Sequence, residues 1–309
     1  MVWRYLQVCI LLAVVGGCSR LPTDNAQRLR GAIRNVPQQH RNWKPEFGVL
    51  AFAEMDQHWV TVRNVRQCRW KDADSASIRH QDWAFDWDEV QAVDFIVVPF
   101  ATAPMLAHTM LSFQLADGRH LVASVEARLE RNQAYSPFAG AARQFELIYV
   151  IGDEVDLLGL RAEHRGDEIY VYRSIATPQQ SAELLRSVLT RANSLVEQPE
   201  FYDTISNNCT TNLIWHINQV KSIAIPTTLE TMLPGHSDSF AYRLGLLATE
   251  LPFEQAKRSA NLSMRIRQHL GADDFSQRIR ERQGGALLEK MVTTTEPQPR
   301  RGSLDRSAN

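Results

Sequence analysis

Cys209 is the residue whose surroundings could make it a nucleophile. It stands in Ser206-Asn207-Asn208-Cys209-Thr210-Thr211-Asn212, ahead of Leu213, Ile214 and Ile217 at helical spacing. Asn208 is a favoured helix N-cap, so the stretch reads as a turn that delivers Cys209 to the first helical position. There a thiol meets unsatisfied backbone N–H groups and the positive end of the helix dipole, which favour thiolate over thiol. The same N–H groups, with Asn208, Thr210 and Thr211 around them, are placed to hold an oxyanion. Two readings stay open: a nucleophile, or a cysteine that only packs with threonines that only cap.

A thiol nucleophile needs a base, and the stretch Ala107 to Arg128 offers one. Asp117-Gly118 splits two alternating runs and marks a hairpin. With Ala116, Asp117 and Gly118 as a three-residue loop, Leu115 pairs with Arg119 and His108 falls opposite Glu126. One face then carries Thr109, Leu111, Phe113, Leu121, Ala123 and Val125, almost wholly apolar, and the other is largely polar. Slipping the register by one residue would put the Glu126 carboxylate among the apolar set, which its desolvation cost disfavours. A carboxylate beside His108 fixes the imidazole tautomer, the arrangement that a general base requires. His216 follows Cys209 two helical turns on and is read as a packing or capping residue. The other histidines fall without ligand spacing, so neither a metal nor a cofactor is expected.

The elements that must position these residues are legible around them. Trp59–Arg66 alternates and is rich in β-branched residues, a strand with Cys68 just past its end. His80–Glu89 reads as a loop or edge strand, and Val93–Phe100, Phe145–Val150 and Ile169–Tyr172 as strands. Thr177-Pro178-Gln179-Gln180 is a capping box opening an amphipathic helix through Leu184, Leu185, Val188, Leu189, Ala192 and Leu195. Helical stretches follow at Phe240–Ala248 and around Asn261 to Arg282. The 309 residues are 44% hydrophobic with a net charge of −1, enough for one large core and without the basic excess that nucleic-acid binding needs.

Met1 to Arg4, the apolar stretch Leu6–Val15 and Val15-Gly16-Gly17-Cys18 resemble a bacterial lipoprotein signal. That resemblance makes residues 1–17 a signal peptide and Cys18 the lipidated first residue, and Ser19 after it implies the periplasmic face of the outer membrane. Residues 18–45 read as a tether with one short helix, 46–285 as the folded domain and 286–309 as a disordered tail. Of four cysteines, Cys68 and Cys209 then remain in the fold, where one disulfide between them is an open alternative to a catalytic Cys209.

The string Phe201-Tyr202-Asp203-Thr204-Ile205-Ser206-Asn207-Asn208-Cys209-Thr210-Thr211-Asn212 is similar to the signature of the Lnb N-terminal periplasmic domain family. Asn64-Val65-Arg66, Ala107–Phe113, Ser124-Val125-Glu126, Arg143–Leu147 and Leu233-Pro234-Gly235 extend the resemblance over most of Asn64 to Arg280. It implies an α+β, permuted papain-like (NlpC/P60-related) fold, an antiparallel sheet packed on a cysteine-bearing helix with the histidine strand coming first. It marks Arg143 and Glu146 as flanking the site, which a strand ion pair explains equally. It implies thiol acyl transfer, as acyltransferase or hydrolase, on lipid or lipoprotein acyl groups. A cysteine peptidase or amidase acting on cell-wall peptide and a non-catalytic envelope lipoprotein are the alternatives.

Overall fold

The computed structural model describes residues 36–101, 103–220, 225–226 and 234–281. The signal at 1–17, Cys18 and the tail at 286–309 lie outside the described residues. So does most of Pro226–Gly235.

The chain opens with β1 (Phe52–Met55), β2 (Trp59–Arg66), a small hairpin of β3 (Arg69–Trp70) and β4 (Ala76–Ser77), and β5 (His80–Asp86). The long β6 (Val90–Phe100), β7 (Ala103–Leu115) and β8 (His120–Arg128) follow, then α1 (Pro137–Ala141) and β9 (Glu146–Asp153). Next come α2 (Glu154–Gly159), which runs into a π turn at Leu160–His164, β10 (Tyr170–Arg173), α3 (Pro178–Glu197) and α4 (Cys209–Val220). The described chain ends with α5 (Ser237–Arg243), α6 (Phe253–Ala260), α7 (Ser263–His269) and α8 (Phe275–Arg278).

Eight strands make one sheet in the order β1-β2-β9-β8-β7-β6-β10, with β5 also paired to β2. The sheet is mixed rather than antiparallel: β2 meets β9 in parallel, through Arg66 and Gly152. Only glycine fits there, because a Cβ on residue 152 would stand 2.8 Å from the Arg66 carbonyl oxygen. Gly152→Ala is therefore expected to cost about 1–3 kcal/mol through overpacking. A denaturant midpoint equal to that of the parent would contradict it.

Helices cover both faces. On one, Leu185, Val188 and Leu189 of α3 and Leu213 of α4 pack on Leu111, Phe113, Leu121 and Ala123. On the other, Leu157, Leu158, Ile266 and Phe275 pack on Met110, Val122, Ile148 and Val150. This second layer corrects the reading of the hairpin's other face as a largely polar surface. Its polar residues are buried but satisfied: Ser112 Oγ donates to Glu154 Oε1 over 2.6 Å, and Arg280 bridges Glu154 and Asp94. Burial on both faces is also why β9 is almost continuously apolar. The α3 capping box forms, Gln180 N–H donating to Thr177 Oγ1 at 3.2 Å and Thr177 N–H to Gln180 Oε1 at 3.0 Å. Within the segment read as a tether, Trp43 is buried in the second core and Arg41 reaches Glu146 at 2.6 Å. Cys68 and Cys209 are both buried free thiols, so no disulfide joins them.

Candidate functional site

The β7–β8 turn sets the site. Leu115 N–H bonds Arg119 O at 2.9 Å and Gly118 takes φ +86°, the three-residue loop with a left-handed glycine. Pairing runs from Gln114–His120 to Met110–Ser124, the register that puts His108 opposite Glu126. Beyond Met110–Ser124 the two strands stop pairing with each other, while β7 continues along β6 and β8 along β9. A cavity of about 190 Å³ is lined from both sides of that splay, by Ala107, His108, Glu126, Arg161, Tyr202 and Cys209 among others.

Cys209 enters it as the first residue of α4. Asn208 Oδ1 accepts from Thr211 N–H at 3.0 Å, and Thr211 Oγ1 accepts from Asn208 N–H at 2.9 Å, a reciprocal cap. That leaves the N–H groups of Cys209 and Thr210 without an acceptor among the described residues. Sγ lies 3.9 Å from Ala107 O and 3.8 Å from Thr210 Oγ1, and it makes no hydrogen bond to His108. The strand pleat is the reason: Ala107 and Thr109 turn toward α4, so His108 between them points to the opposite face. The thiol and the imidazole therefore share the cavity without touching.

His108 is 7% exposed, and its Nε2 lies 2.7 Å from Ser124 Oγ, which donates onward to Glu126 Oε1 at 2.8 Å. Glu126 stands 3.8 Å from Nε2, so the contact expected between imidazole and carboxylate runs through Ser124. Burial pushes His108 down to about 3; Arg161 and Arg165 add to this and Glu126 works against it. Burial opposes the charge on Glu126, but Arg161 chiefly holds its carboxyl low, at about 2. The resting pair is a neutral imidazole and an ionised carboxylate. With Glu126 ionised, the Ser124 hydroxyl spends its proton on the carboxylate and must accept from Nε2–H. Nδ1 is then the unprotonated nitrogen.

A second cavity, of about 120 Å³ and almost wholly apolar, lies between α4 and the sheet. Leu111, Leu213, Ile217 and Phe240 line it together with Thr109 and Thr210, whose hydroxyl oxygens are 3.3 Å apart. Thr210 also contacts Cys209 Sγ, so it stands between the thiol and this apolar space.

A family model of the Lnb N-terminal periplasmic domain matches residues 79–235, half of the chain. The chain belongs to the Lnb N-terminal periplasmic domain family. No curated protein and no solved structure matches it. As an Lnb N-terminal periplasmic domain it has a periplasmic location. Among the described residues no helix is long and apolar enough to cross a membrane. The family match spans β5 to α4 and so includes His108, Glu126, Arg161 and Cys209, while Lys44, Phe47 and Asp74 of the same cavity lie before it.

Within this Lnb N-terminal periplasmic domain the remaining candidates separate. Thr211 caps α4 and Thr210 faces the apolar cavity. Arg143 sits in a left-handed turn (φ +55°), largely exposed, 3.6 Å from Asp203. It is not among the residues lining the cavity, and Glu146 pairs with Arg41 instead of with it. His216 is fully buried between Tyr149 Oη and Ser187 Oγ, each at 2.8 Å, a satisfied core histidine. The sequence reading missed Ser124 and Arg161. Ser124 shares its strand face with Glu126, so alternation could have found it. Arg161 comes from a π turn that carries no sequence signal, though such turns recur at functional sites.

Proposed function

We propose that the protein is a lipid-anchored envelope enzyme of thiol acyl transfer, tethered through Cys18 at the periplasmic face of the outer membrane. The observation that carries this reading is the single cavity shared by Cys209, at a helix start whose first two N–H groups lack an acceptor among the described residues, and His108, held neutral. A water in the shared cavity relays the thiol proton to His108 Nδ1 as Sγ bonds to the carbonyl carbon of an acyl ester. The carbonyl oxygen gathers the negative charge, and the Cys209 and Thr210 N–H groups hold it. Collapse breaks the C–O bond, and the leaving alcohol takes the proton back from His108. Water or an amine then attacks the thioester and regenerates the thiol. The permuted papain-like arrangement, histidine strand before cysteine helix, is part of the same proposal.

The apolar cavity past Thr210 favours a lipid acyl group over a cell-wall peptide, since a peptide would leave that space without an occupant of matching polarity. Mass spectrometry of envelope lipids and lipoproteins tests this. Cys209→Ala is expected to change lipoprotein or phospholipid acylation. A change confined to cell-wall peptides would instead identify a peptidase or amidase, and no change in either would leave a binding or structural lipoprotein.

A further inference from the structure

Among the described residues the buried arginines, with one exception, each make three hydrogen bonds. Arg66 makes two hydrogen bonds to Asp156 and one to Glu46 O, and Arg128 reaches Phe47 O, Gln39 Oε1 and Gly48 O. Arg161 is the exception. It is 6% exposed, yet its five N–H donors make one hydrogen bond among the described residues, a long one of 3.3 Å from Nη2 to Glu126 Oε1. Its Nε is sealed from solvent with no acceptor. A guanidinium so buried and so little used has donors to spare, and planar oxyanions are what its fork fits. Arg165 lines the same cavity one turn on, exposed, its guanidinium making no hydrogen bond or ion pair among the described residues.

We propose that Arg161 and Arg165 form a subsite for the phosphodiester of a glycerophospholipid whose acyl ester is presented to Cys209. The assignment rests on the acyl-transfer reading above. Cys209 lines the cavity that holds the arginines, and Thr210, in contact with its Sγ, lines the apolar one. A glycerophospholipid carries its ester carbonyl between an aliphatic chain and an anionic phosphodiester, the same order. A neutral diacylglycerol would leave Arg161 without its acceptor, and an acidic peptide would leave the apolar cavity empty.

Binding that needs no turnover tests the subsite. The full chain carrying Cys209→Ala, in an uncharged detergent, is titrated with dihexanoyl phosphatidylglycerol, dihexanoylglycerol and an acidic peptide. The phosphodiester lipid is expected to bind at least about tenfold more tightly than the neutral one, the equivalent of one hydrogen bond to a charged group. Arg165→Gln, an exposed position, and Arg161→Lys, which keeps a cation beside Glu126, should each shrink that ratio. Equal affinities for the two lipids, a ratio unmoved by either substitution, or tighter binding of the peptide would overturn the proposal. A phosphodiester preference in a chain whose Cys209→Ala form leaves envelope acylation unchanged would keep the subsite and sink the enzyme reading.

Discussion

Replacing His108 with alanine is expected to slow thioester formation at Cys209 by about 10²–10⁴-fold, the range for loss of a general base. Ser124→Ala should cost about 10–100-fold, one hydrogen bond's worth of imidazole orientation. The order follows from the geometry: Nε2–H donates to Ser124, and Ser124 donates to Glu126, so Glu126 acts on His108 at one remove. Glu126→Gln can still accept from Ser124, but it strips Arg161 of its counter-charge. Its loss should accordingly include folding yield as well as rate. Single-turnover acylation of Cys209 by a small activated ester, followed by intact-protein mass spectrometry, separates these effects. Because burial holds His108 neutral down to about 3, the rate should show no inflection at the ordinary imidazole value of about 6.5. A Ser124→Ala chain that acylates at the parent rate would remove Ser124 from the site, and an equally fast His108→Ala chain would remove the base.

The register of this hairpin was legible because three independent constraints agree on it. Asp117-Gly118 supplies the turn, alternation supplies the faces, and the cost of burying Glu126 excludes the slip. The caps at Thr177 and Asn208 were legible for a similar reason, since their partners lie three residues away in sequence. What sequence could not show depends on distant partners. Ser112 and His120 look like a wet surface until Glu154 and Arg280 arrive to satisfy them in a second core. The pleat alone would have separated His108 from Cys209. Beyond Met110–Ser124, β7 follows β6 and β8 follows β9, and the splay that opens the shared cavity is a property of the whole sheet that local pattern does not encode. Arg161 reaches Glu126 across 35 positions from an irregular helical turn, and nothing in its neighbours announces it.

Stability should fall steeply in mild acid, and the same buried groups are the cause. His108 and His216 are each pushed down to about 3, chiefly by burial, while an unfolded histidine titrates near 6.5. Below about 6.5 the unfolded chain therefore takes up protons that the folded chain refuses, and each such histidine costs about 1.4 kcal/mol per pH unit. Two of them over two pH units amount to about 5 kcal/mol, a large part of the 5–15 kcal/mol that holds a domain together. Glu126, held at about 2, and Glu154, held low by Arg280 and His120 against the cost of burial, add to the loss once pH drops through the ordinary carboxylate range. Asp153 opposes it, because burial raises its carboxyl. The thermal midpoint is thus expected to drop sharply between pH 6.5 and 4.5. A level midpoint there would mean that His108 and His216 are not held neutral by the fold, nor His80 and His120, which burial also pushes down. The His108→Ala chain supplies the link to the site: it lacks one of the refused protons, so its midpoint should decline less steeply over the same interval even as its acylation is lost. A His108→Ala slope as steep as the parent's would place His108 in a wetter, protonatable setting and remove the neutral base on which the acyl-transfer step depends.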